Sequence, residues 1–351
     1  MATKYYPCAV GGKNRRHLWK VLASVLLAVA LFAVFLWTAP LGEVGAALTS
    51  VRVGWILASV GVALATYAIR ALRWGLILRP VGRAGTANLL GCTAAGFATS
   101  TILPARAGEI VRPLLLTART GLPAAGTLAS ILTERLLDGA SVLVLFAAGV
   151  VFAQSSLNPE NLALLREAAM LTTAGLAVAV AIVFLLLRHR AGTVSRLASL
   201  APARFRGRVE SFLHHLLDGL EVLRSPLRLA EIGIWSLGLW VVIGWQLVLL
   251  AKAFDLPMNL GQSFVVVAVA VIGLAVPAPA GVGGFHWAIR VGLTQFMGIG
   301  VPTATAYALL HHAICFFPIT VLGLGYLAGV GLSLGRVRAL RSEAAPDAEG
   351  G

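Results

Sequence analysis

The feature that most constrains this chain is a series of long stretches without a single charged residue. Residues 168–187 and 291–335 contain no Asp, Glu, Lys or Arg. A helix crosses the roughly 30 Å hydrocarbon core of a bilayer with about 20 apolar residues, so each stretch is long enough to span it. The apolar residues are continuous and do not alternate with polar ones, which excludes an outer-membrane β-barrel. The sequence therefore predicts an all-α polytopic membrane protein.

The distribution of charge predicts how the chain is oriented. Lys and Arg number 28 against 14 Asp and Glu, which gives a net charge of +14. Basic residues cluster near both termini and after the second apolar stretch, as they do in cytoplasmic loops. We therefore expect a multi-pass protein of the inner (cytoplasmic) membrane with both termini in the cytoplasm. The expected partner of this charge is the bilayer and not a nucleic acid.

About six full transmembrane helices and two re-entrant helical hairpins account for the apolar stretches. The segments around 88–119 and 262–297 each hold two short apolar pieces separated by Pro and Gly. A piece of about 16 residues rises roughly 24 Å, which is less than the hydrocarbon core, so each segment should enter and leave on one side. The predicted full spans lie at 18–37, 54–72, 123–151, 171–187, 229–250 and 303–331.

One further segment has a helical pattern of a different kind. Residues 204–224 place apolar side chains at helical spacing with charged side chains on the other faces. This pattern predicts an amphipathic helix on the cytoplasmic membrane surface. A helix packed on the transmembrane bundle is an equally good interpretation of the same pattern.

The two halves of the sequence resemble each other around their broken segments. Pro104-Ala105-Arg106-Ala107-Gly108 in the first half is echoed by Pro277-Ala278-Pro279-Ala280-Gly281 in the second. Because the halves would start on opposite sides, we predict an inverted-topology repeat, with chance similarity as the alternative. The predicted units are a basic N-terminus at 1–17, repeats at 18–153 and 154–334, and a disordered cytoplasmic tail at 335–351.

Charged residues interrupt the apolar sequence at the first break. Arg106, Glu109 and Arg112 follow one another at i, i+3 spacing. Charges inside a membrane are costly and commonly mark a substrate path, and guanidinium groups bind phosphate through paired hydrogen bonds. We therefore predict a site for an anionic headgroup. The alternative is that these three residues only neutralise one another.

Neighbouring predicted spans carry charges that would belong to the same site. Glu134, Arg135 and Asp138 share one predicted span, where they would neutralise arginines, carry a proton or form static ion pairs. Arg70 and Arg73 share a helix face at the end of another span. Snorkelling to the interface is the alternative for these two arginines.

The second break is nearly uncharged. Pro277, Gly281 and Gly283 interrupt the helix there. His286 follows this break closely in the sequence, and His312 lies on the last predicted span. Histidines packed among helices are the commoner case, so we expect neither a metal nor a cofactor. The candidate substrate-binding residues are Arg70, Arg73, Arg106, Glu109, Arg112, Glu134, Arg135, Asp138, Pro277, Gly281, Gly283, His286 and His312.

These motifs resemble a known family. Arg70-x-x-Arg73-Trp74, Leu103-Pro104-x-Arg106-Ala107-Gly108-Glu109-x-x-Arg112 and Glu134-Arg135-x-x-Asp138 are similar to the lysylphosphatidylglycerol synthase transmembrane family, also called flippase-like. That family includes the membrane half of the multiple peptide resistance factor. The resemblance extends over roughly 18–334, with two departures: Ala280 stands where a proline is common and His286 where many members have a glutamate.

The resemblance implies movement of lipids between leaflets. Family substrates include aminoacylated phospholipids, hopanoids and polyisoprenyl lipids. We therefore expect a transporter of an anionic or headgroup-modified lipid that has no enzyme activity. Its expected partners are this lipid, the bilayer and, in a homo-oligomer, a second copy of the chain. The first alternative is a membrane-embedded lipid-modifying enzyme or its accessory subunit, which would need Glu134 and Asp138, or His286 and His312, facing an open pocket. The second alternative is a scaffold for lipid-linked glycan assembly, without a lipid-sized cavity.

Overall fold

The computed structural model describes residues 13–103, 107–153, 159–189, 206–220, 225–276 and 278–330, with a few isolated positions besides. Most of the basic N-terminus and all of the tail at 335–351 therefore lie outside the described residues. The same holds for Pro104, Ala105 and Arg106 at the first break and for Pro277 at the second.

All regular structure in the described ranges is helical, which confirms the predicted fold class. A 3₁₀ turn at Pro279–Gly281 lies between two of the α-helices of the second half. The helices are α1 Lys13–Trp37, α2 Leu41–Thr49, α3 Val53–Ile77, α4 Thr86–Ile102, α5 Gly108–Thr120, α6 Ala124–Ala153, α7 Pro159–Arg188, α8 Arg206–Leu220, α9 Pro226–Ala253, α10 Leu260–Gly273, α11 Gly284–Met297 and α12 Val301–Gly329.

Each of the six predicted full spans coincides with a helix, namely α1, α3, α6, α7, α9 and α12. Four of these, α3, α6, α9 and α12, are long and apolar enough to cross a membrane. Part of α1 forms a fifth candidate together with α2, although the chain bends by 87° between them, next to Pro40. The chain is thus a multi-pass membrane protein, and the count of six spans stays a prediction.

The first short pair of helices, α4 and α5, packs tightly because glycines face each other. A Cβ on Gly108 would overlap the backbone carbonyl oxygen of Gly96, and a Cβ on Gly96 would press on the side chain of Arg112. Small residues let helix backbones approach closely inside a membrane. Gly121 then ends α5 in the left-handed conformation, with φ 74°. The segment predicted as a hairpin is therefore a helix, a break and a helix that return on one another.

The second short pair, α10 and α11, uses the same device. A Cβ on Gly273 would collide with the backbone of Gly284, so these helices also approach at a pair of glycines. Asn259 caps the N-terminus of α10: its side chain accepts a hydrogen bond from the Gln262 backbone N–H at 2.9 Å. The Gln262 side chain accepts from the Asn259 backbone N–H in return. That either hairpin is re-entrant in a bilayer stays a prediction.

Each hairpin packs against the last long helix of the other half. In one contact α12 lies on α4, where a Cβ on Gly323 would overlap the carbonyl of Ala94. In the other, α6 lies on α10, where a Cβ on Gly149 would be 2.7 Å from the carbonyl oxygen of Gly261. Between them, α3 packs along α9. Two related halves would be expected to pack in this reciprocal way, each hairpin against the last helix of the other half. Their opposite orientation in the membrane stays a prediction.

The amphipathic segment forms α8, which packs against α6. Leu217 is buried there. Of the two interpretations of this segment, the described residues therefore support packing on the bundle, and a position on the membrane surface remains a prediction.

Candidate functional site

A cavity of about 440 Å³ lies between the two hairpins. On one side its wall is charged and comes from α3, α5 and α6, and on the other side it is mostly apolar and comes from α10 and the second break. The charged or broken-backbone positions that line it and were predicted from the sequence are Arg70, Glu109, Arg112, Arg135, Asp138 and Gly281.

Asp138 is the centre of the charged wall. Its Oδ1 accepts from Arg73 Nη1 at 2.7 Å and from Trp240 Nε1 at 3.0 Å. Its Oδ2 lies 3.1 Å from Arg135 Nη2 and 3.5 Å from Arg70 Nη1. A buried carboxylate needs such partners because its removal from water is costly. Since Arg73 is itself fully buried, snorkelling is wrong as an interpretation of that residue.

Glu134 binds a second group of arginines one turn away on α6. Nη1 of Arg112 donates to both carboxylate oxygens at 3.1 Å each, and Arg135 Nη2 donates to Oε1 at 3.0 Å. Arg73 Nη2 lies 3.5 Å from the same oxygen. The guanidinium carbon of Arg112 stands 4.0 Å from the centre of the Trp74 ring, which adds a cation–π contact. Glu134 thus joins α3, α5 and α6 behind the cavity wall.

Both described charged side chains near the start of α5 contact α6. Arg112 binds Glu134, and Glu109 Oε1 lies 4.0 Å from Arg135 Nη1. The alternative that Arg106, Glu109 and Arg112 only neutralise one another does not account for these contacts of Glu109 and Arg112 with α6. Arg106, the third member of that set, lies outside the described residues.

The charged cluster carries an excess of positive charge. In the described chain it holds four arginines (Arg70, Arg73, Arg112, Arg135) against three carboxylates (Glu109, Glu134, Asp138), which leaves one positive charge. Side-chain exposure is 35% for Arg135 and 37% for Glu109, so these two present the most charge to the cavity. Buried guanidinium nitrogens also remain without a hydrogen-bond partner among the described atoms, including Nε of Arg112 and of Arg135. An anion would be attracted to this wall.

The second break is held together by two histidines. Nε2 of His312 lies 3.1 Å from the carbonyl oxygen of Ala280, which has the left-handed φ of 52°, and Nδ1 of His286 accepts from the backbone N–H of Gly283 at 3.3 Å. The two imidazole rings stack with centres 4.4 Å apart. The histidines therefore satisfy backbone groups that the interruption of the helix leaves unpaired.

Several predicted site residues lie behind the cavity wall. Arg73 and Glu134 form its ionic support, while Gly283, His286 and His312 lie behind the second break. Arg106 and Pro277 fall outside the described residues. The wall residues and their supports are nevertheless adjacent, through contacts such as that between Arg73 and Asp138.

Among the polar residues of the wall that sequence reasoning did not predict, a glutamine and a histidine contact each other. Gln246 on α9 and His311 on α12 both line the cavity and contact each other. Gln246 follows a run of apolar residues from Leu237, and a buried amide in such a run is costly unless it is bonded. That cost was the signal available for Gln246, whereas His311 could not be told from its neighbour His312 by sequence.

These observations define a polytopic helical membrane protein with a partly charged cavity between two broken helical hairpins. The chain belongs to the family described as the lysylphosphatidylglycerol synthase TM region, which it matches over residues 21–323. It is also similar to a protein of Haloferax volcanii named glycosyltransferase AglD, with 27% identity over 350 residues, or 90% of this chain and 55% of that protein. The chain thus spans about half the length of this curated relative.

Proposed function

We propose that this protein is a lipid transporter, or flippase, that moves an anionic or headgroup-modified lipid between leaflets. Candidate lipids are a phospholipid, a polyisoprenyl-linked lipid and a hopanoid-type lipid. The observation that carries the proposal is the cavity of about 440 Å³ between the two hairpins, charged on the α5 and α6 side and apolar on the α10 side. Broken helices that face one another across a cavity are a common way to hold a substrate near the bilayer midplane.

The charged wall would hold the phosphate. Arg135 is the most open of the cavity arginines, and Arg70 and Arg112 line the same space. Guanidinium groups suit a phosphate because their planar N–H groups donate in pairs. The excess positive charge of the cluster would be neutralised when one phosphodiester binds.

The apolar chains of the lipid have a separate path on the other side of the second break. An apolar groove runs between α1, Ile102 at the end of α4, and the break residues Pro279 and Val282. Ala278, Ala280 and Gly281 of that break face the cavity instead. The break therefore stands between a polar space for a headgroup and an apolar space suited to hydrocarbon, and the groove residues on α1 are Val25, Ala28, Val29, Phe32, Ala33 and Leu36.

The proposed orientation has six full spans, two re-entrant hairpins and both termini in the cytoplasm of a cell whose inner membrane holds the protein. The basic loop after α3, with Arg79 and Arg83, would then be cytoplasmic. A membrane-impermeant thiol reagent added to intact cells should label a cysteine at Ser50 (Ser50→Cys) and spare one at Gly85 (Gly85→Cys). Labelling of both, or of Gly85→Cys alone, would contradict this orientation.

Transport is tested with the purified protein in liposomes that contain phosphatidylglycerol with a fluorescent acyl chain. Chemical quenching from outside reports how fast the labelled lipid changes leaflet. We expect Arg135→Gln to slow movement by about tenfold, because a hydrogen bond to a charged group contributes about 1.5–3 kcal/mol. The matched control is Arg79→Gln, which removes an exposed arginine that binds Glu231 at 3.1 Å away from the cavity.

The two possible failures of this experiment have different meanings. If Arg135→Gln and the wild type move lipid equally fast, the phosphate is bound elsewhere. If neither the wild type nor Arg79→Gln moves any lipid of a broad panel of anionic and headgroup-modified lipids faster than protein-free liposomes, the protein is not a lipid transporter.

One observation favours a second candidate function, an accessory subunit in lipid-linked glycan assembly. The relative in Haloferax volcanii is named a glycosyltransferase, and this chain spans 55% of its length. A transferase reaction by the cavity itself would need a free general base, yet Glu134 and Asp138 each contact several arginines. Membranes from cells with and without this protein, incubated with lipid phosphates and sugar nucleotides and examined by mass spectrometry, test it. Less glycolipid in the membranes without the protein would favour this candidate, and equal amounts would contradict it.

A further inference from the structure

An uncharged polar group lines the cavity away from its ionic wall. Gln246 of α9 and His311 of α12 contact each other there, with Gln246 Oε1 3.0 Å from His311 Nε2. Ser59 of α3 binds Gln246 on its other side, at 2.9 Å from Nε2. Cys315 and Tyr67, which also line the cavity, complete the group through a 3.5 Å contact of the sulfur with His311 and a 2.6 Å hydrogen bond of the tyrosine hydroxyl to the Cys315 carbonyl.

The direction of the hydrogen bonds in this group follows from one serine. The Ser59 hydroxyl donates its proton to the backbone carbonyl of Gln246 at 3.3 Å, so it accepts from Gln246 Nε2. The amide oxygen of Gln246 must then face His311. Because an amide oxygen only accepts, His311 Nε2 carries the proton and donates it. In the neutral imidazole, Nδ1 of His311 is then left as an acceptor.

That acceptor has no partner. Nδ1 of His311 is buried and makes no hydrogen bond to any described atom, although the residue lines the cavity and is only 3% exposed. Buried polar atoms in proteins are nearly always satisfied, and an unsatisfied one calls for a reason. A ligand in the cavity that donates a hydrogen bond would supply the missing partner.

The spacing between this acceptor group and the ionic wall suits a lipid headgroup. Trp240 of α9 donates to Asp138 in the ionic wall, and Gln246 lies six residues further along the same helix. At 1.5 Å per residue the two points are about 9 Å apart along the axis. A phosphate on the arginines would thus place a polyol or sugar ring attached to it within reach of His311.

Chemistry selects a hydroxyl as the donor. A second phosphate or a carboxylate has no proton to give to an acceptor nitrogen. An ammonium group would donate, but its charge would be buried beside a group of uncharged side chains that offers it no carboxylate. A hydroxyl donates without adding charge.

We propose that His311 and Gln246 form a second, uncharged subsite of the cavity that binds hydroxyl groups of the headgroup, so that the substrate class is a phosphodiester lipid with a sugar or polyol headgroup. This inference rests on the proposed function, because it assigns the phosphate of the same lipid to the arginine wall. It makes His311 a specificity-determining residue.

The experiment compares two acyl-labelled lipids that have one phosphodiester charge each. Phosphatidylinositol carries a hydroxyl-rich headgroup, and phosphatidylmethanol carries none. Wild-type protein in liposomes should move phosphatidylinositol about tenfold faster, which corresponds to about 1.4 kcal/mol for a hydrogen bond to the buried acceptor. His311→Phe, which keeps a ring but removes the acceptor, should bring this ratio close to one.

Tyr307→Phe is the matched control. The Tyr307 hydroxyl donates to the Leu247 carbonyl at 2.7 Å, and its loss removes a buried hydrogen bond one turn from His311 without changing the cavity lining. This variant should keep the wild-type ratio. Thermal unfolding of the purified proteins with each lipid gives a second readout: the wild type, but not His311→Phe, should be stabilised more by phosphatidylinositol.

Several results would overturn the inference while the transporter proposal stands. One is an unchanged ratio in His311→Phe; another is a preference of the wild type for phosphatidylethanolamine, whose donor is an amine. Competition by soluble inositol phosphate as strong as by the lipid would assign the subsite to a soluble ligand. If no lipid moves but phosphatidylinositol still stabilises the wild type selectively, the transporter proposal fails and the subsite stands.

Discussion

Arg112 binds both carboxylate oxygens of Glu134 through one guanidinium nitrogen, at 3.1 Å each, and so ties α5 of the first hairpin to α6. Both side chains are almost completely buried. The pair fixes the position of the hairpin relative to the long helix beside it. It also keeps Arg112 oriented along the cavity wall while its positive charge is compensated from behind.

Loss of one partner of this pair should be strongly destabilising. In Glu134→Gln, Arg112 and Arg73 would lose their shared carboxylate, and removal of one partner from a buried pair costs about 3–5 kcal/mol. The measurement is the free energy of unfolding in mixed micelles followed by tryptophan fluorescence. Glu231→Gln is the matched control, because Glu231 binds Arg79 at the surface and its loss should cost less than about 1 kcal/mol.

A double-mutant cycle with Arg112→Met separates the pair from its surroundings. Glu134→Gln and Arg112→Met should be far from additive, because each already removes the same interaction. Additive losses would show that Arg112 and Glu134 stabilise the fold through other neighbours.

Attachment of α1 depends on a buried arginine that sequence reasoning did not single out. Arg290 of α11 donates to the Phe35 carbonyl at 3.0 Å and to Thr38 Oγ1 at 2.9 Å, and it stacks on the rings of Phe35 and Trp287. These bonds hold the end of α1 where its carbonyls lose their helical partners.

Arg290→Met should therefore loosen α1 without unfolding the bundle. We expect faster hydrogen exchange, measured by mass spectrometry, in the last two turns of α1, since hydrogen bonds from a charged donor contribute about 1.5–3 kcal/mol. Arg52→Met is the control, because Arg52 pairs with Asp255 at an exposed site. Exchange in α1 that rises equally in both variants would show that Arg290 does not hold this helix.

The close approach of α4 and α5 gives a third prediction. In Gly108→Ala the new Cβ would meet the Gly96 carbonyl oxygen and the Ser100 hydroxyl oxygen, so the helices must separate. We expect a loss of stability of about 1–3 kcal/mol, as for overpacked cores, together with slower lipid movement. Gly238→Ala on α9 is matched to it, because a Cβ there meets nothing within 4 Å and should leave both properties nearly unchanged or raise stability slightly.

The outcome for Gly108→Ala is read from unfolding and from the liposome assay together. A Gly108→Ala protein as stable and as active as Gly238→Ala would mean that the first hairpin tolerates a wider spacing than its packing indicates.

Much of this architecture was predictable because few backbone structures satisfy all their hydrogen bonds inside the hydrocarbon core of a membrane. Uncharged stretches such as 291–335 fix long helices, and Pro and Gly in a membrane run fix the places where a helix must break. Charges at membrane depth are costly, and this marked Glu134, Arg135 and Asp138 as one cluster. The cavity lies beside that cluster.

The pairing inside the site was beyond reach of the sequence. Glu109 and Arg112 are three residues apart on α5, and each also contacts α6, because the close packing of α5 on α4 turns this face of α5 towards α6. Likewise, His311 and His312 are neighbours with similar surroundings in sequence, but one lines the cavity and the other supports the second break. Such differences depend on helix rotation, which long-range packing decides.

The exchange of partners between the halves has a consequence for synthesis in the cell. Helix α4 of the first hairpin ends at Ile102, but α12, the helix that packs against it, begins at Val301, about 200 residues later. At translation rates of about 5–20 residues per second, α4 waits roughly 10–40 seconds for that helix. During this interval the newly inserted hairpin depends on its immediate successor, α6, whose Glu134 reaches Arg112 as soon as both have entered the membrane. The buried ion pair between Arg112 and Glu134 would then stabilise the first half of the protein until the second half has been synthesised and inserted.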